Sequence, residues 1–165
     1  MEDIRENGRI LSDSIQHVNE KGIKGKLFPK NSIIVSTSAT IGEHALIKEE
    51  FLCNQRFTCL MLKDKYKDKY DIKFLFYYCY LLCKWCLNNL NKGNFASVDM
   101  KMFEKFKFPM IELNEQKRIV YFLEKLDKLC NDMVEGLPAE IEARQKQYEY
   151  YRDKLLTFKE LVNEG

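Results

Sequence analysis

The chain has 165 residues, enough for one compact domain with an appended element and too few for two independent large cores. With 45% hydrophobic and 32% charged residues, wholesale disorder is excluded. A net charge of +2 excludes a protein that grips nucleic acid chiefly by global charge, and leaves only local basic clusters at Lys21, Lys24, Lys26 and Lys30 and at Lys63, Lys65, Lys67 and Lys69. Asp64, Asp68 and Asp71 interleave with the second cluster, which therefore reads as a solvated surface.

In chain order, the stretch to Lys30 is polar and punctuated by Gly8, Gly22, Gly25 and Pro29, which predicts loops and short strands. Ser32 to Thr37 is rich in β-branched residues. Gly42 then permits a sharp turn into Ala45-Leu46-Ile47, predicting a strand pair, with a third strand at Phe57 to Leu62. After the Lys/Asp loop, Asp71 is placed to cap a helix running to about Leu90, whose Phe74, Phe76, Tyr77, Tyr78, Tyr80 and Trp85 are expected in the core. A polar, glycine-containing loop from Asn88 to Ser97 leads to a short helix from Asp99 to about Phe106.

From Asn114, taken as an N-cap, the period becomes helical to about Val134. Ile119, Leu126 and Met133 recur every seven residues, with Phe122 and Leu129 completing a three-and-four stripe. After a break near 135–138, Pro138 suits the first turn of another helix, with a seam through Leu137, Ile141, Tyr148, Tyr151, Leu155, Phe158 and Val162. The pair folds back as a hairpin or continues as a kinked rod. The second helix is narrow-seamed and highly charged, so it needs a partner: the preceding helix, a second copy of the chain or another subunit. The expected fold class is α+β, a small sheet domain with packed helices over residues 1–112, followed by two long coiled-coil-like helices over 113–165.

Six cysteines are expected as packed thiols, although Cys79, Cys83 and Cys86 share one helical face. No nearby histidine or paired short-loop spacing supports a metal site there. The chain contains no Gly-rich phosphate loop, no Asn-Pro-Pro-Tyr type methyltransferase motif and no nucleophile elbow, and His17 and His44 are isolated. A non-catalytic protein without cofactor or metal is expected. No amino-terminal secretion signal is recognisable, so a cytoplasmic setting is expected. The most apolar window, Phe74 to Leu87, is broken by Lys84 and falls short of the roughly 20 residues of a membrane span.

The run from Gly136-Leu137-Pro138 through Arg144-Gln145-Lys146 and Tyr148-Glu149-Tyr150-Tyr151 to Leu155-Leu156-Thr157-Phe158 resembles the helical spacer of type I restriction-modification specificity subunits. Phe108-Pro109-Met110-Ile111 with Glu115-Gln116-Lys117-Arg118-Ile119 is similar to that family's junction between recognition domain and spacer. Ser38-Ala39-Thr40-Ile41-Gly42 and Asn54-Gln55 resemble two signatures inside its recognition domain. The resemblance implies a DNA-binding subunit that carries no chemistry itself and directs methyltransferase and endonuclease partners. Such subunits read a bipartite double-stranded site with two recognition domains, whereas this chain resembles one domain plus spacer. Met1-Glu2-Asp3-Ile4 resembles the interior of a family domain, so an unpaired sheet edge is expected, and two copies are expected to pair through the helices as a homodimer. The competing expectation is a shortened interaction protein that docks partner subunits without reading DNA.

Base edges are read by Arg, Lys, Asn and Gln, while hydroxyls and amides position phosphates. The DNA-contact candidates are Lys24, Lys26, Ser36, Thr37, Ser38, Arg56, Lys92 and Asn94, all expected on loops or strand ends. For Ser36, Thr37, Ser38 and Thr40 the competing role is turn capping, and for Asn54 and Gln55 scaffold hydrogen bonding.

Overall fold

The structure is a computed structural model that describes residues 2–23, 25–91, 95–132 and 138–157. Lys24, Lys92, Asn94, Met133, Leu137, Phe158 and Val162 lie outside the described residues, as does the side chain of Ile141. The chain divides into two compact units, Met1–Lys67 with Tyr78–Lys107, and Asp68–Tyr77 with Phe108–Gly165.

The first unit contains α1 (Glu2–Asn7), β1 (Ile10–Leu11), β2 (Ser32–Ser36), β3 (His44–Ile47), β4 (Phe57–Leu60), the greater part of α2 (Ile72–Asn88) and α3 (Met100–Phe103). The sheet order is β1-β3-β2-β4, with β1 parallel to β3 and the other pairs antiparallel. Every residue of β2 is buried, because this strand has a neighbour on each edge and cover on each face. On one face Ile34, Ala45 and Ile47 form a cluster with Ile4 and Leu11, and Phe51 and Phe57 pack against it. Side-chain alternation sends Ile33, Val35, His44 and Leu46 to the other face.

That second face meets α2. The His44 ring stands edge-on to Tyr80 with centroids 4.5 Å apart, and its Nδ1 lies 3.3 Å from Cys83 Sγ. The Arg9 guanidinium covers the Tyr80 ring at 5.3 Å. Burial pushes the Cys83 thiol up to about 12 and the Cys86 thiol to about 11, so both behave as small apolar groups. Gly42, at φ +98°, turns the chain against Leu87, where a Cβ would lie 3.3 Å from the leucine side chain. The helix α1 replaces the loops expected at the start: six residues are too few to display a period, and the single buried Ile4 anchors it.

The second unit contains the start of α2, α4 (Leu113–Asp132) and α5 (Pro138–Leu156). Asp71 caps α2 as expected, its Oδ1 accepting from the amides of Lys73 at 2.8 Å and Phe74 at 3.3 Å. Asn114 is not the cap of α4. The helix starts one residue earlier and Glu112 supplies the first carbonyl, accepting from Gln116 N at 3.0 Å. The Gln116 side chain is fully buried. Its Nε2 donates to the carbonyls of Lys69 and Ile111, each at 2.8 Å, and its Oε1 accepts from Asp71 N at 2.9 Å.

The helices α4 and α5 pack on one another, and Cys130 Sγ near the end of α4 approaches the Arg144 carbonyl near the start of α5 at 3.9 Å. The arrangement is a hairpin. Buried in these helices are Ile119, Val120 and Leu123 of α4 and Tyr148 and Leu156 of α5, with Leu126 and Leu155 half-buried. Phe122, Leu129 and Tyr151, expected in the seams, stand 45%, 54% and 42% exposed. Gln116 explains the difference in α4. At about 100° per residue, Val120 and Leu123 fall within about 40° of its direction and Phe122 about 120° away.

Candidate nucleic-acid interface

Three connecting segments meet at the end of β2: residues 37–43 between β2 and β3, residues 48–56 before β4, and residues 89–99 between α2 and α3. Main-chain hydrogen bonds tie them together. Thr37 N donates to Arg56 O at 3.0 Å, Val98 N to Thr37 O at 2.9 Å, and Ala39 N to Ala96 O at 3.2 Å. Ser38 and Ser97 form an isolated antiparallel bridge. Ala39 adopts φ +64°, a left-handed conformation unfavourable for a residue with a Cβ, and its amide reaches Ala96 from there.

Asparagines shape the individual segments. Asn54 Oδ1 accepts from Arg56 N at 3.0 Å while its carbonyl accepts from Phe57 N at 3.1 Å, closing the turn before β4. In the third segment, Asn91 N donates to Ser97 O at 2.9 Å, and Asn91 Nδ2 reaches Ser97 Oγ at 3.1 Å and Val98 O at 3.2 Å. Asp99 then caps α3 through the amides of Lys101 and Met102. The two short signatures, Ser38 to Gly42 and Asn54-Gln55, therefore lie in segments of one loop assembly.

Ser36 and Thr37 lie at the end of β2 within the frame rather than at its surface, where the Ser36 hydroxyl takes the capping role that competed with DNA contact. They are 1% and 7% exposed, the Ser36 hydroxyl donates to Ser38 O at 3.3 Å, and the Thr37 hydroxyl pairs with that of Thr58 at 2.9 Å. Strand pairing carries β2 inward as far as its last residue, and the junction with Val98 and Arg56 covers Thr37. Ser38 is half-buried and Arg56 exposed, and the three-way junction brings them to the same end of the sheet. Lys26 is exposed but sits on the segment entering β2 from its other end, where Phe28 pairs with Phe51 and Asn31 N bonds Ile47 O. Phe95, which sequence reading passed over, is 88% exposed in the third segment. The available signal was an aromatic residue isolated among Gly93, Asn94, Ala96 and Ser97.

A cleft of about 610 Å³ opens over the Ile34 face of the sheet. Its floor includes Ile34, Ile47 and Phe57, and among the described residues Asp3, Asp13, Glu49 and Glu50 line it without any lysine or arginine. His17 Nε2 lies 2.7 Å from Asp13 Oδ1 and holds that carboxyl below the usual carboxylate range. Such a lining repels phosphate, so the cleft is not where a nucleic-acid backbone would run. Among the described residues no group of three or more His, Cys, Asp or Glu is placed to hold a metal ion, and no helix is long and apolar enough to cross a membrane.

The model of the type I restriction modification DNA specificity domain matches residues 3–143, a span that contains the sheet, all three segments and α4. The chain belongs to this family. It is 54% identical to the EcoprrI type I restriction enzyme specificity subunit of Escherichia coli, over 100% of this chain and 43% of that subunit. It is 37% identical to the EcoR124I/EcoR124II specificity subunit of Escherichia coli, over 93% of this chain and 40% of the relative. The chain thus spans less than half the length of either. A solved structure described as the basis of complex assembly and conformational transition of the type I R-M system matches with a TM-score of 0.56. It covers 82% of this chain and 33% of that one at 18% identity, a likeness of fold. Within this DNA specificity domain, the α+β sheet unit and the helices are the shared architecture.

Proposed function

We propose that the chain is a DNA-reading half of a type I specificity subunit, in which residues 1–112 recognise duplex DNA and the helices of 113–165 form the spacer. The observation that carries this reading is the loop assembly. A DNA specificity domain here ties three segments together at one end of a sheet, and that end carries the exposed Arg56 and the half-buried Ser38. Guanidinium and hydroxyl groups on a fixed frame suit base edges and phosphates, and the frame fixes their register at no cost upon binding. Lys26, placed elsewhere on the unit, is suited to a backbone phosphate.

In this reading the chain supplies the address and no chemistry, acts in the cytoplasm, and needs no cofactor of its own. Methyltransferase and endonuclease subunits, using S-adenosylmethionine and ATP, do the work at a bipartite site. The helical hairpin leaves Phe122, Leu129, Tyr150 and Tyr151 in water, an apolar surface suited to a second copy, which would supply the other half-site. Sedimentation velocity at micromolar concentration checks that pairing, with a dimer expected and a strict monomer against it.

The DNA reading is tested by titrating the full chain against a duplex of random sequence over a range of salt. Micromolar affinity that falls steeply with salt is expected, since the contacts release counterions. Salt-independent association, or none at low salt, would reject it in favour of a protein-docking module.

A further inference from the structure

The reading above leaves one prominent group without a role. Phe95 is 88% exposed, the most exposed large hydrophobic side chain among the described residues, with Tyr150 next at 61%. An aromatic ring in water forgoes stabilisation that burial would supply, and nothing in the packing of the sheet unit requires it there. Its backbone is nevertheless tied on the carboxyl side. Ala96 O accepts from Ala39 N, Ser97 bridges to Ser38, and Asn91 grips Ser97 through both its main chain and its side chain. The ring is thus presented next to residues fixed to the same frame that carries the exposed Arg56 and the half-buried Ser38.

We infer that Phe95 is the apolar reading element of this interface and inserts its ring at a base-pair step of duplex DNA. This rests on the DNA-reading function proposed above. An exposure of 88% leaves both faces of the ring open, as insertion between two bases requires, whereas contact with a thymine methyl needs only one face. The exposed Arg56 guanidinium, carried on the same loop assembly, is suited to a phosphate of the bound duplex. The contrast with the acidic cleft is informative, because apolar side chains there are ringed by carboxylates and here they accompany a cation.

The test uses the full chain and a duplex enriched from a randomised pool by repeated selection with the wild-type protein. 2-Aminopurine is placed at each position of the enriched site in turn. Wild-type protein is expected to raise its fluorescence at one step, reporting unstacking. Phe95→Ala should abolish that rise and weaken binding about tenfold or more, while Phe95→Trp retains both. Because the ring makes no phosphate contact, the dependence of affinity on salt should be unchanged in Phe95→Ala, and so should the melting temperature of the free protein.

Equal affinity and an equal fluorescence rise with Phe95→Ala overturn the assignment and leave the DNA-reading function standing. Fluorescence that stays quenched at every position in the wild-type complex overturns insertion. Loss of a protein subunit's binding by Phe95→Ala with DNA affinity intact assigns the ring to a protein contact and also overturns it. A pool from which the wild-type chain enriches nothing overturns both this inference and the function it rests on.

Discussion

In the loop assembly, main-chain groups set position: Thr37, Ala39 and Val98 exchange amide and carbonyl bonds with Arg56, Ala96 and Thr37, and the exposed side chains ride on that frame. In the helical unit the main chain is satisfied within each helix, and position is set by side chains, above all Gln116 and Leu123. The difference separates what can vary from what cannot. An exposed side chain that makes no bond within the frame among the described residues, such as that of Arg56, can be exchanged on the loop assembly without disturbing its neighbours, which suits the proposed reading surface. In the helical unit, the Gln116 side chain is itself the fastening, tying α4 to the segment that enters α2.

The sharpest way to break this contrast is at Gln116. Replacement by leucine keeps the volume but strands the Lys69 and Ile111 carbonyls and the Asp71 amide. Chemical denaturation should show a loss of about 4 kcal/mol, since each stranded buried group costs about 1–3 kcal/mol. A loss below about 1 kcal/mol would mean that water replaces the glutamine and that it fastens nothing.

Next in size is a pair on α4. Leu123→Ala should cost about 3 kcal/mol by opening a cavity. Phe122→Ala, one position away, should change the stability of the isolated chain by less than about 0.5 kcal/mol while weakening self-association in sedimentation. Equal effects on stability would return Phe122 to the interior, where the heptad pattern placed it.

On the loop assembly, Arg56→Ala should leave the melting temperature nearly unchanged and lower the slope of log affinity against log salt by about one. The smallest effect concerns the sheet unit's interior. With its thiol pushed up to about 12 by burial, Cys83 should stay unmodified by iodoacetamide at pH 8 in the folded chain and react only after denaturation.

The same contrast explains what was legible in the sequence. β-branched runs and turn residues located β2, β3 and β4, and Asp71 and Pro138 marked the helix starts they were expected to mark. Periodicity found α4 and α5 but not the rotation of α4, because Phe122 and Val120 fit a three-and-four stripe equally well until Gln116 fixes the phase. Loop convergence left no periodic trace. Nothing local in Ser36 or Thr37 says that Val98, some sixty residues later, will cover the end of the strand, so contact and capping roles both stayed open for these hydroxyls. Phe95 was hidden for the opposite reason, since aromatic residues ordinarily signal the core.

The proposed reading of sequence in duplex DNA is tested most directly by deep sequencing of the duplexes retained by the full chain from a randomised pool. A short enriched motif is expected, present as two inverted copies at fixed spacing if the chain pairs through its helices. A retained pool indistinguishable from the input would contradict it.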